Sequence, residues 1–135
     1  MIIKIRKWLL VGFGICCILF IGILLYARWS IQTSLNRWCA TAMEAHPESR
    51  DPVAALMTFV QSDSHSLKER NSAVWALGQA RDRRALPILH MYYTGAACDH
   101  SRKLCQYELK KAIKLCSGET PNLLVITVPD QNQSQ

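Results

Sequence analysis

The sequence predicts an all-α protein, in which an N-terminal transmembrane helix is followed by a short array of about two helical hairpins. Three observations support this prediction. Residues 8–27 contain no charged side chain, and a helix of that length covers about 30 Å, the thickness of a bilayer's hydrocarbon core. Beyond residue 50, apolar residues recur at the spacing of amphipathic helices. Tight turns separate these helical stretches, as in stacked helix pairs.

The apolar segment is the first element, predicted as a transmembrane helix over residues 8–28. Trp8 and Trp29 lie at its two ends, where aromatic residues favour the membrane interface. A cleaved signal peptide, the alternative interpretation, has a shorter apolar region of about 7–15 residues and a small residue near the cut. A cut after Ala27 would place Leu25 where a small residue is needed. The run therefore predicts an uncleaved anchor, with membrane lipid as a partner.

The basic residues around the span predict its orientation. A basic stub over residues 1–7 precedes the span, whereas only Arg28 and Arg37 follow it closely. Because positive charge is enriched on the cytoplasmic side of a membrane, the stub is predicted to be cytoplasmic. The C-terminal domain is then extracytoplasmic, either periplasmic or extracellular.

The part of the chain beyond the span carries little net charge, although the whole chain has 16 Lys and Arg, 10 Asp and Glu and a net charge of +6. Four basic residues flank the membrane, which leaves twelve against all ten acids and a net charge of only +2. Alternating signs are typical of a solvated helical surface. No nucleic-acid partner is therefore predicted.

The next elements are a stalk and a helical domain. Residues 29–50 are predicted as a stalk or linker helix, which either continues from the membrane or restarts after Ser34. Pro47 interrupts it, because proline disfavours helix at the residue before it. Asp51-Pro52 begins the domain, predicted over residues 51–118, with the aspartate as cap and the proline in the first turn.

Further end signals divide this domain into helices. Ser66 and Glu69 have the spacing of a capping box, in which the serine caps the helix and the glutamate bonds back to it. Residues 81–83 are predicted as a tight turn, and Ser101 as the cap of a last helix that ends near Cys116.

The tail differs from the domain. Residues 119–135 are predicted to be extended and partly disordered, and residues 123–128 form a β-prone apolar run. This run either packs back on the helices or lends a strand to another protein.

One stretch resembles a known family. Its pattern consists of Arg70, Ala73, Ala76, Leu77, Gly78, Asp82, Arg84, Ala85, Leu86, Pro87 and Leu89. This pattern resembles the HEAT-like repeat of the phycobilisome-lyase type, and the resemblance implies stacked helix pairs that bind other proteins. Two departures are Glu69, where the family usually has valine, and Arg81, where it has glycine. If the position of Arg81 is left-handed, that side chain costs about 1 kcal/mol.

Four cysteines lie beyond the span, and an even number outside the cytoplasm suits disulfides. Cys105 and Cys116 are predicted to share one helix at a separation too large to bridge. Cys98 precedes that helix and Cys116 ends it, so that pair is strained as well. By elimination the predicted pairs are Cys98–Cys105 and Cys39–Cys116. In the alternative interpretation, some of these cysteines are small buried apolar residues.

Catalytic chemistry is not predicted. No hydrolase elbow, zinc-protease or phosphate-binding motif occurs in the sequence, so we expect no enzyme activity, cofactor or metal. His46 and His65 are predicted as solvated loop residues. The alternative function is a membrane-bound thiol or metal protein that uses Cys98, His100 and Cys105.

The predicted function is interaction with, or scaffolding of, another protein at the membrane. Trp75, Arg70 and Arg84 are the candidate interaction residues. Trp75 either packs against the stalk or anchors a partner, because tryptophan is enriched among binding hot spots. A further alternative is a small accessory subunit of a larger membrane complex, held mainly by its anchor.

Overall fold

A computed structural model describes residues 2–99, 101–120 and 128. These residues form helices without any strand, which confirms the all-α prediction. The helices are α1 (Ile2–Ala45), α2 (Pro52–Gln61), α3 (Leu67–Ala80), α4 (Leu86–Tyr92) and α5 (Gln106–Ser117), with a 3₁₀ turn over Arg83–Ala85 before α4.

Helix α1 is a single uninterrupted helix that covers residues 2–7 of the predicted stub, the predicted span and residues 29–45 of the predicted stalk, which ends five residues earlier than predicted. Its N-terminal part is long and apolar enough to cross a membrane, and none of its most apolar stretch is buried within the protein. Its C-terminal part is packed, since Leu35, Cys39 and Ala42 are buried in the core. The N-terminal part of α1 is therefore apolar and exposed, whereas its C-terminal part belongs to the helical domain.

Helix α3 lies at the centre of that domain, where it packs against α1, α2 and α5. Small residues allow this arrangement. A Cβ added to Gly78 would lie 2.9 Å from the Ala112 Cα, so α3 and α5 approach closely at that point. Leucines fill the space between the helices, and the fully buried ones are Leu35, Leu56, Leu77, Leu89 and Leu109.

The structure confirms most of the predicted helix ends. The Asp51 carboxylate accepts hydrogen bonds from the backbone N–H groups of Val53 and Ala54, each at 3.0 Å. Ser66 and Glu69 form the capping box at the start of α3. These bonds satisfy N–H groups that the first helical turn leaves without a partner.

The predicted start of the last helix was wrong. Helix α5 begins at Gln106, with Cys105 rather than Ser101 at its cap position. The Asp99 carboxylate accepts bonds from both the N–H and the hydroxyl of Ser101, at 3.1 and 2.6 Å. The serine is thereby held in a local turn, which competes with its use as a helix cap.

The predicted helical hairpin is not confirmed. Residues 81–83 do form the tight turn, and Arg81 has the left-handed backbone conformation, with φ of 55°. However, α4 packs mainly against α5. Among the described residues, the contact between α3 and α4 is not one of the principal helix–helix interfaces.

The apolar run of the tail is described at one position only. Val128 is half-buried against the core, in the manner of a tail that packs back on the helices. The other residues of the 123–128 run lie outside the described part of the chain.

Candidate functional site

A groove of about 550 Å³ lies on the surface of the helical domain. Three helices form it, and its lining residues are Ser34 and Trp38 from α1, Lys68, Asn71, Ser72 and Trp75 from α3, and Glu108 from α5. Ser34 lies six residues beyond the predicted span, which is about 9 Å along the helix. The groove is therefore close to the end of the span.

Two tryptophans supply the large apolar surfaces of this groove. Trp75 and Trp38 are both half-buried and pack against the core with part of their surface. Trp38 also meets Phe59 edge to face, with ring centroids 6.3 Å apart. The sequence analysis identified Trp75 but missed Trp38. The spacing of Trp38 from Ser34, and its position next to the buried Cys39, indicate a residue at the edge of the core.

Arg70, predicted as a candidate interaction residue, is buried in the structure. Its Nε donates to the Val60 carbonyl oxygen at 2.8 Å. One terminal nitrogen lies 2.6 Å from the Asp63 carboxylate, and the guanidinium lies over the Tyr92 ring. Arg70 therefore joins the end of α2 to the start of α3 from inside the protein.

Arg84 is more exposed, but both its carboxylate partners belong to this chain. It lies 2.8 Å from Asp51 and 2.8 Å from Asp82. The hydrogen bonds from Arg84 are the largest cause of the lowered pKa of both carboxyl groups. Both carboxylates also accept hydrogen bonds from backbone N–H groups, Asp51 at the start of α2 and Asp82 at the start of the 3₁₀ turn. Arg84 therefore links these two starts.

The remaining residues of the repeat pattern have mainly structural positions. Asp82 accepts a bond from the Arg84 N–H at 2.8 Å, as predicted for a cap. The buried members are Ala73, Ala76, Leu77, Gly78, Ala85 and Leu89, whereas Leu86 is half-buried and Pro87 is exposed in the first turn of α4.

Neither predicted disulfide is present, because all six cysteines are free thiols. The sulfurs of Cys98 and Cys105 lie 3.3 Å apart, beyond the length of about 2.05 Å of a disulfide bond. Cys39 and Cys116 are buried, and this burial raises the pKa of each thiol to about 11. They act as small apolar core residues, the alternative interpretation of the sequence.

Cys98 has a different environment, since it is exposed in the loop before α5. Its sulfur accepts a bond from the backbone N–H of Tyr107 at 3.4 Å, and this bond is the largest cause of its lowered pKa. The neighbouring Cys105 is buried. His100 lies outside the described residues, and among those described no group of three or more side chains is placed to hold a metal ion.

Comparisons with protein-family models, curated proteins and solved structures gave no significant match. The class of protein therefore follows from the chain itself. It is an all-helical protein with one N-terminal helix apolar and long enough to cross a membrane, and with a small helical domain packed on the end of that helix. The HEAT-like resemblance of residues 70–89 stays a prediction.

Proposed function

We propose that this chain is a single-pass membrane protein whose HEAT-like helical domain binds another protein through the groove between α1, α3 and α5. The observation that carries the proposal is the pair of tryptophans in a groove close to the end of the span. The N-terminal stub lies in the cytoplasm and the domain on the opposite side, since the flanking charges favour that orientation.

The continuity of α1 supports a role at the membrane. The same helix contains the apolar segment and supplies Leu35, Cys39 and Ala42 to the core of the domain. No flexible linker therefore separates the span from the groove. A partner in the groove is held about 9–15 Å beyond the end of the span, the positions of Ser34 and Trp38 along α1, given the rise of 1.5 Å per residue.

The lining of the groove favours a protein partner. Trp38 and Trp75 expose part of their rings, and tryptophans in such pockets are frequent hot spots of binding. Lys68 and Glu108 add opposite charges to the lining, while Asn71 adds an amide. Aromatic residues combined with polar groups are usual in protein–protein interfaces.

Site-specific crosslinking tests this proposal. A photoreactive side chain at Ser72, which lines the groove, is expected to capture a protein from intact membranes. Trp75→Ala should reduce the yield at least about tenfold, because hot-spot truncations cost about 2 kcal/mol or more. Tyr107→Ala is the matched control, since this exposed aromatic residue of α5 lies outside the groove and its loss should leave the yield unchanged.

Several outcomes would overturn the proposal. Capture of lipid alone, or of a protein whose yield is the same with Trp75→Ala, would contradict the groove as the binding site. Recovery of the chain from an alkaline-washed aqueous fraction would contradict the anchor. A mature protein that begins near residue 28 would also contradict it.

The distance between the Cys98 and Cys105 sulfurs supports a second candidate function, a membrane-bound thiol protein. Cys98 is exposed and Cys105 lies behind it at 3.3 Å. In thiol–disulfide exchange, the Cys98 thiolate attacks a disulfide of the oxidant and releases one thiolate. The Cys105 thiolate then attacks the Cys98 sulfur of this mixed disulfide and displaces the second thiolate of the oxidant. The products are a Cys98–Cys105 disulfide and the oxidant in its reduced, dithiol form.

Alkylation kinetics test this second function. In a reduced protein that carries Cys16→Ser and Cys17→Ser, iodoacetamide is expected to label Cys98 first. Its rate should rise with pH and reach half its maximum below pH 9.0, the ordinary pKa of the thiol, because the backbone bond lowers that pKa. Cys39 and Cys116 should react only after unfolding, since both are buried with pKa values of about 11.

The control for this experiment is Cys98→Ser, which should abolish the fast labelling. Oxidised glutathione should remove one pair of thiols from the parent protein and none from this variant. Equal labelling rates for Cys98 and Cys39, or no loss of thiols on oxidation, would argue against a thiol function.

A further inference from the structure

Two histidines that are distant in the sequence meet beside Phe59 of α2. His46 follows the last residue of α1, and His65 lies in the loop before α3. Their Nε2 atoms are 3.3 Å apart. The sequence predicts two solvated loop residues, whereas the structure places both half-buried and in contact.

Phe59 of α2 holds the two imidazole rings in place. The His65 ring stacks on the Phe59 ring, with centroids 3.6 Å apart and planes 4° from parallel. The His46 ring meets the same phenyl ring edge to face at 6.0 Å. Both rings are therefore held in place by packing. Their Nε2 atoms already point toward each other, so a ligand that binds both would not have to order the side chains.

Glu48 sets the orientation of the His46 ring. Its carboxylate lies 3.3 Å from His46 Nδ1 and can accept a hydrogen bond from that nitrogen. With the proton on Nδ1, His46 Nε2 presents a lone pair toward His65. A carboxylate behind a histidine in this way is the usual support of a metal-binding imidazole, since it fixes the tautomer and raises the basicity of the ligand atom.

The separation of the two Nε2 atoms fits a metal ion. Zn–N distances of about 2.0–2.1 Å and tetrahedral angles place two imidazole nitrogens about 3.4 Å apart. From this agreement we propose that His46 and His65 bind a divalent transition-metal ion of the Zn²⁺ type through their Nε2 atoms, with His46 oriented by Glu48. Asp63, which is close in sequence, is bound by Arg70 instead.

The two remaining coordination positions are filled by water or by a ligand from outside the chain. A bound ion joins the turn after α1 to the loop before α3, and it therefore stabilises the packing of α2 between those helices. This site is separate from the groove, and the proposed binding of a partner does not depend on it.

Metal titration of the full-length protein in detergent tests the site. A Cys98→Ser, Cys105→Ser background removes the competing thiols. Zn²⁺ alone, in competition with a chromogenic chelator, is expected to bind at one ion per chain and to raise the temperature of unfolding. His46→Ala and His65→Ala should each lower the affinity at least about tenfold, and Glu48→Gln about tenfold, the effect usual for such supporting carboxylates.

His90→Ala is the control variant, because His90 is exposed on α4 and should leave binding unchanged. If a histidine variant fails to fold, the imidazole NMR signals of the parent protein give the answer. Zn²⁺ should shift those of His46 and His65 but not that of His90. Binding that survives both histidine substitutions, or no binding by the parent protein, would overturn the proposal.

Discussion

Gly78→Ala is expected to destabilise the helical domain by about 1–3 kcal/mol, the usual cost of overpacking a tight interface. The added methyl group would lie 2.9 Å from the Cα and 3.1 Å from the Cβ of Ala112 on α5. The nearest atom is backbone, so relief requires α3 and α5 to move apart. That movement weakens a principal interface of the domain and opens space around Leu115, which lies 3.4 Å from the new Cβ.

An opposing effect must be weighed for this substitution. Alanine is favoured over glycine in a helix interior by about 1 kcal/mol. Without the contact to Ala112, the variant would therefore be more stable than the parent. We expect the steric cost to prevail, because real Cβ atoms essentially never come within 3.0 Å of such neighbours.

The measurement is the unfolding midpoint of the detergent-solubilised protein, followed by circular dichroism. Gly22→Ala is the matched control, because a Cβ added there meets nothing within 4 Å. That variant should show no loss of stability. A midpoint for Gly78→Ala at or above that of the parent would show that α3 and α5 are less closely packed than the structure indicates.

The sequence predicted those features that depend on residues close together along the chain. The Asp51 cap and the Ser66–Glu69 capping box were correct because each bond joins groups within three residues. The end of α1 before Pro47 follows from a steric effect on the preceding residue. The left-handed conformation of Arg81 was considered only as a condition, because the resembled repeat has glycine at that position.

Features that depend on packing between helices were missed. The burial of Arg70, a predicted interaction residue, was missed because its acceptor is the Val60 carbonyl oxygen of the preceding helix, which leaves no sign in the sequence. The contact of His46 with His65 requires the loops at the two ends of α2 to meet across Phe59. The groove likewise needs residues from three helices.

Arg70→Met is expected to cost about 2–3 kcal/mol, the range for a lost bond to a charged group and a buried acceptor left without its partner. Methionine retains much of the apolar length of the side chain but cannot donate to the Val60 carbonyl oxygen. Asp63 contributes little to this cost, because its side chain is 93% exposed and is solvated when Arg70 is absent.

Asp63→Asn separates the two contributions of Arg70. It removes the charge partner but leaves the bond to Val60, and exposed ion pairs are worth about 0–1 kcal/mol. We therefore expect chemical denaturation to show a large loss of stability for Arg70→Met, a small loss for Asp63→Asn, and a double variant close to Arg70→Met alone. Equal losses for the two single variants would show that the ion pair, rather than the buried bond, joins α2 to α3. The expected order of losses means that the bond from Arg70 Nε to the Val60 carbonyl oxygen holds α3 against the end of α2. That bond then also helps to fix the position of Trp75 in the groove.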